Sequence, residues 1–144
     1  MATGDLTVFD EAKLALLNGT HDSDTNTMKV ALIDNTAAPT AGDTTPAWGD
    51  YSANEVSGTN YTAGGETMTV SLTEAAGTVT FDFTTNPTWT QHASGFTDAY
   101  WAIIYDDTAT SDEAIAFVEM GGPVSLVSGD VSITWNDSGV FTLA

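Results

Sequence analysis

The chain has no cysteine, no arginine and only two lysines, Lys13 and Lys29. Without cysteine there is no disulfide framework, no thiolate metal site and no cysteine nucleophile. Without clustered Lys or Arg nothing is available to grip a nucleic-acid backbone, and twenty Asp and Glu would repel one. The formal net charge of −18 disfavours an anionic membrane surface for the same reason. No apolar run is long enough to span a bilayer. The opening residues, MATGDLTVFDEAK, have neither the basic start nor the apolar stretch of a secretory signal, so none is expected. Histidine is scarce as well. His21 and His92 stand alone, neither with a second His at ligand spacing, which argues against zinc.

What the chain does have is acid and β-forming residues. The charge suits solubility in a saline setting, or docking on a basic partner surface. Residues 1–144 read as one domain, large enough for a real core. Its centre is the stretch 97–120, TDAYWAIIYDDTATSDEAIAFVEM. Tyr100, Ala102 and Ile104 alternate with Trp101, Ile103 and Tyr105, so both faces are apolar and both should be covered. An acidic link, residues 106–112, reads as an exposed turn into a second apolar strand, residues 114–120. Gly121, Gly122 and Pro123 then follow the hairpin.

Residues 7–18 form the one good helix candidate. Thr7 is placed as N-cap, Asp10 and Glu11 favour the positive end of the helix dipole, and Gly19 ends the run. Phe9, Lys13, Leu16 and Leu17 follow helical spacing. After a polar loop, residues 21–27, the run Met28 to Asp34 is a strand. Residues 35–60 are long and irregular, with Pro39, Pro46 and three glycines, and loops of that length are often binding surfaces. Trp48 and Tyr51 lie within it, and exposed aromatics are enriched at interfaces. Residues 66–72 and 78–83 alternate as an antiparallel hairpin with one wet face. Thr88, Trp89 and Thr90 suit a short edge segment. Asn136-Asp137-Ser138-Gly139 signals a hairpin turn between residues 131–135 and 140–143. The expected fold is mainly β, an antiparallel β-sandwich or barrel-like sheet with one N-terminal α-helix.

Chemistry is poorly marked. Asp22, Asp24 and Asn26 match the opening of an EF-hand loop, but Thr27 stands where Gly is wanted and Ile33 where the bidentate Glu belongs. Asp106, Asp107 and Asp112 could gather around a weakly held Ca²⁺, yet solvated turns explain both clusters. No GxSxG elbow and no Gly-rich phosphate loop occurs. His92 reads as an ordinary loop residue. No catalytic, cofactor-binding or metal residue is assigned, and no enzyme is expected.

Several blocks together resemble a family of small tailed-bacteriophage virion structural proteins. They are Phe9-Asp10-Glu11-Ala12-Lys13 with Leu16-Leu17-Asn18-Gly19, Asp24-Thr25 leading into Lys29-Val30-Ala31-Leu32, the run 55–65, Ala102-Ile103-Ile104-Tyr105-Asp106-Asp107-Thr108, and the run 129–143. The resemblance covers nearly the whole chain and implies a β-rich module without enzymatic activity, of the capsid decoration (cement) kind. The expected partner is then the major capsid protein of the phage head. The chain would sit on the virion's capsid surface, be assembled in the host cytoplasm, and act as a homo-oligomer, with a trimer favoured. No nucleic acid, membrane or cofactor is expected. Phe9, Leu16, Trp48 and Tyr51 are the expected interface residues. The alternatives are a tail or head–tail connector component, or a carbohydrate- or Ca²⁺-binding module of a receptor-binding apparatus.

Overall fold

The computed structural model describes residues 6–144 and is mainly β, with antiparallel sheets and one N-terminal helix. In chain order it runs β1 (Thr7–Val8), α1 (Asp10–Asn18), β2 (Met28–Ile33), the single turn α2 (Trp48–Tyr51), a 3₁₀ turn (Ser52–Asn54) and β3 (Glu66–Met68). Then come β4 (Val70–Ala75), β5 (Thr78–Phe83), β6 (Thr88–Trp89), β7 (Ala99–Asp106), β8 (Ala114–Val124), β9 (Val131–Ser132) and β10 (Phe141–Leu143). A five-stranded sheet has the order β1-β8-β7-β2-β3, a three-stranded sheet β10-β5-β4, and β6 pairs with β9.

The central place of β7 follows from its composition. Residues 102–106 are all buried, so apolar side chains are needed on both faces. Ile103 lies between Ala31 on β2 and Phe117 on β8. Over that face Phe9 packs against Phe117 at 4.9 Å and Trp48 stacks on Tyr105 at 5.1 Å. Each such side chain taken fully out of water contributes about 1.5–3 kcal/mol.

The helix begins later than its sequence suggests. Thr7 is no N-cap: it belongs to β1, opposite Phe117. The Phe9 N–H donates to Ile115 O at 3.0 Å and the Asp10 N–H to Ala41 O at 2.9 Å, so tertiary backbone acceptors replace a capping side chain. Gly19 does end the helix, in the left-handed conformation at φ 81°, its N–H returning to Ala15 O.

The segment 35–60 is a cover, not a free loop. Beyond β3 the edge of β2 is bonded by this segment: Val56 N–H donates to Leu32 O, and Asp34 N–H to Asn54 O, both at 3.0 Å. Its other arm bonds beside the β7–β8 turn, where Trp48 N–H reaches Asp112 O and Ala114 N–H reaches Pro46 O. An exposed strand edge is thereby closed.

Three further elements differ from the alternation pattern. First, β8 does not stop before its glycines. It continues through Gly121 and Gly122, both at positive φ, to pair Val124 with Ala99 across an irregularity in register. Second, residues 66–75 are not one strand of one sheet. Glu66, Thr67 and Met68 pair with β2, and from Val70 onward the chain pairs with β5, so the ribbon changes sheet at Thr69. Gly65, at φ 80°, sits against β2 so closely that a Cβ there would run into Val30 O. Third, β9 and β10 are not a hairpin. The turn at 136–139 forms, with Gly139 N–H on Asn136 O, but it delivers β10 to β5 while β9 stays on β6.

Candidate interaction surface

Of the expected interface residues, Phe9 (0 % exposed), Tyr51 (5 %) and Trp48 (9 %) are core side chains. Phe9 anchors the cover to Phe117, and the Tyr51 hydroxyl donates to Asp43 at 2.8 Å. Burial pushes the Asp43 carboxyl up, but the Thr40 side chain and backbone and the Tyr51 hydroxyl outweigh it and hold it below its ordinary value. Burial, with Asp43 beside it, pushes the Tyr51 hydroxyl well up. These groups lock the cover and offer a partner little surface. Leu16 is half-buried and lines a groove described below. Residues 1–5 lie outside the described residues.

The acidic turn is only partly exposed. Asp106 is fully buried, contrary to its reading as part of a solvated turn. Its Oδ2 accepts from Asn26 Nδ2 at 2.7 Å and faces His21 Nδ1 at 3.1 Å, while its Oδ1 accepts the Thr108 and Ala109 N–H groups. His21, expected in a polar loop, is 4 % exposed. Thr27 and residues 107–108 complete the clamp: Thr27 N–H donates to Thr108 Oγ1 and Asp107 N–H to Thr27 O. A carboxylate with four partners and no exposure is a tie between segments 85 residues apart in sequence, not a base or ligand. The EF-hand-like run diverges accordingly. Asn26 turns inward to Asp106, Asp22 accepts the Asp24 N–H, and Asp107 pairs with Lys29 at 3.0 Å. Among the described residues no three His, Cys, Asp or Glu gather as a metal site.

A second polar tie involves Glu55, whose Oε1 accepts from Tyr61 Oη at 2.8 Å and from Gly64 N–H at 2.6 Å. Burial, with the Glu55 charge beside it, raises the Tyr61 hydroxyl well above its ordinary value. Tyr105 donates to Gly64 O at 2.8 Å and is likewise raised, first by burial and then by the Asp107 and Asp112 charges. His92 is exposed, its Nδ1 accepting the Ser94 N–H. None of these groups pairs a nucleophile with a base.

The molecule's apolar display lies elsewhere. Five large apolar side chains are exposed among the described residues, and four of them, Leu17, Leu72, Val79 and Leu143, line one groove between α1 and the three-stranded sheet. Register explains the sheet's share. Leu72, Phe81 and Phe141 form one cross-strand row, and Glu74, Val79 and Leu143 form the next row out on the same face. Phe81 is buried and stacks on Phe141 at 4.6 Å, whereas Val79 and Leu143 are exposed. The opposite face carries Thr73, Thr80 and Thr142. From α1 come Leu16 and Leu17, the latter 82 % exposed. The helix buries only Ala12 fully, so its leucines are shown to solvent instead of being spent on the core. Asp22 and Asp24 stand at the rim. The groove's volume, about 220 Å³, is below the usual range for small-molecule sites and fits two or three side chains of a larger partner.

On the other side of α1 a cleft of about 360 Å³ is lined by Leu14, Glu11, His21 and Glu113. Glu11 there accepts the Thr45 N–H at 2.9 Å, tying the helix to the cover.

Comparison with protein-family models, with curated proteins and with solved structures gives no match. The groove and the Asp106 tie were both missed by sequence reasoning. One signal was present for the groove: Leu14, Leu16 and Leu17 spread around a helix too widely for all three to face one core. None was present for the tie, because pairing between His21 and Asp106 leaves no mark on spacing.

Proposed function

We propose that this chain is a bacteriophage virion structural protein, a capsid decoration protein that docks on the outside of the head and stabilises the shell. The observation that carries the reading is the apolar groove on a strongly acidic module. A protein that must be soluble alone and tight once docked needs that combination: net charge keeps the free protein soluble, and a localised apolar patch supplies the contact. The likeness of its sequence blocks to small tailed-phage virion proteins supports the same reading. The partner is the major capsid protein, and the working form is a homo-oligomer, a trimer being favoured because cement proteins sit at shell junctions of that symmetry.

The contact surface in this proposal shifts from Trp48 and Tyr51 to the groove. The test is a cryo-EM reconstruction of the virion. Density for the chain outside the icosahedral shell, at threefold or quasi-threefold positions, is the expected result. Density confined to the tail or neck would make it a tail or connector component, and absence from the particle would overturn a virion role altogether.

A further inference from the structure

The groove's chemistry specifies its occupant more narrowly than its shape does. Its floor and walls are apolar: Leu16 and Leu17 from the helix, Leu72, Val79, Phe141 and Leu143 from the sheet. Besides His21, which lines it while buried against Asp106, its titratable neighbours are carboxylates. Asp22 and Asp24 line it, and Glu74 stands in the same cross-strand row as Val79 and Leu143. No lysine lines it. Both lysines of the chain are already engaged, Lys13 with Asp10 at 2.7 Å and Lys29 with Asp107 at 3.0 Å.

A second copy of the chain is therefore a poor occupant. It would bring another −18 charge, and among the described residues no unpaired lysine, to a rim that is itself negative. Like charges brought together at an interface cost several kcal/mol. A purely basic ligand would leave the leucines wet, and a purely apolar one would bury the rim carboxylates unpaired. We infer that the groove is the seat of a basic amphipathic segment of the partner, with two or three aliphatic or aromatic side chains in the trough and Lys or Arg opposite Asp22, Asp24 and Glu74. The inference rests on the decoration reading only for the partner being a shell protein. The groove's own selectivity is testable without a virion.

The probe is a fluorescein-labelled amphipathic helical peptide of Leu and Lys, titrated by anisotropy against the full chain in 0.15 M NaCl. Two controls have Ser in place of Leu, or Glu in place of Lys. The expected result is saturable one-to-one binding of the Leu/Lys peptide, at least tenfold tighter than either control. The double variant Leu17→Glu, Leu143→Glu should weaken it at least tenfold, and Leu14→Glu, in the other cleft, should not change it. Both altered groove positions are exposed, so the fold does not depend on them.

Equal binding of the Ser/Lys peptide would reduce the surface to a general polyanion and overturn the inference. So would binding that ignores the double variant. If sedimentation equilibrium showed the wild type to be an oligomer that the double variant dissolves, the groove would be a contact between copies, and the inference would fail. A groove that binds the peptide on a chain located in the tail would keep this inference while sinking the decoration assignment.

Discussion

The two sheets of this molecule solve opposite problems. In the five-stranded sheet, β7 is buried on both faces, and Phe9 together with Trp48 and Tyr51 of the cover closes one of them. In the three-stranded sheet one face is threonine-rich and wet, and the other is apolar but only half covered, leaving Leu72, Val79 and Leu143 in solvent. Both are antiparallel, with apolar residues on both faces of β7 and on one face of β4 and β5. What differs is how far the next layer reaches. Stability is concentrated where the layers overlap, and recognition is left where they do not, as expected when binding surfaces come from the less protected parts of a fold.

The sharpest way to break the comparison is a matched pair of truncations. Ile103→Ala, on β7 at zero exposure, should lower unfolding free energy by about 2–5 kcal/mol in urea titration. Leu72→Ala, 42 % exposed on β4, should cost less than about 1 kcal/mol. Equal losses would mean that the outer sheet is as much core as the inner one. Next in size is Asp106→Ala. It strands the Asn26 side chain and the Thr108 and Ala109 N–H groups, at about 1–3 kcal/mol for each donor left unsatisfied, and should destabilise by roughly 3 kcal/mol. Hydrogen exchange should quicken in the loop at 21–27 before it does in β5.

High pH should separate the halves again. Tyr51, Tyr61 and Tyr105 all serve the inner half, and burial raises each hydroxyl above the ordinary value of 10.0. Their contribution is complete below pH 10. Above it the unfolded chain loses protons that the folded chain keeps, so stability falls, by roughly 1 kcal/mol per tyrosine per pH unit. Urea midpoints at pH 9 and pH 11 should differ accordingly, and Tyr61→Phe should blunt the loss. The smallest expected effect is that of Leu17→Ser, within about 0.5 kcal/mol of wild type by the same titration, because the side chain is 82 % exposed.

Alternation made much of the fold legible. The boundaries of β5, the pairing of β7 with β8 and the glycine that ends α1 could all be read from residue pattern, because each is decided within one or two neighbouring elements. What could not be read was decided at long range. Periodicity says which way Val140 to Leu143 face, but not that they leave β9 for β5. Trp48 looks the same in sequence whether it lies over Tyr105 or points at a partner. Thr7 has the chemistry of a cap, yet Phe117 offered its backbone a strand partner instead. The groove depends on where coverage ends, a property of two sheets and a helix together.

The passage at Thr69 has a mechanical consequence. A tether held in the groove would pull on β4, and through that one residue the load enters β3, in register with β2 at Met28–Met68, Lys29–Thr67 and Val30–Glu66. Force directed along the strand shears these three pairs at once, where a loop would let them peel singly. Resistance to forced unfolding is set by the unfolding rate, not by the equilibrium. Three pairs loaded in shear therefore couple the outer sheet to the inner one whenever the molecule is pulled from its groove.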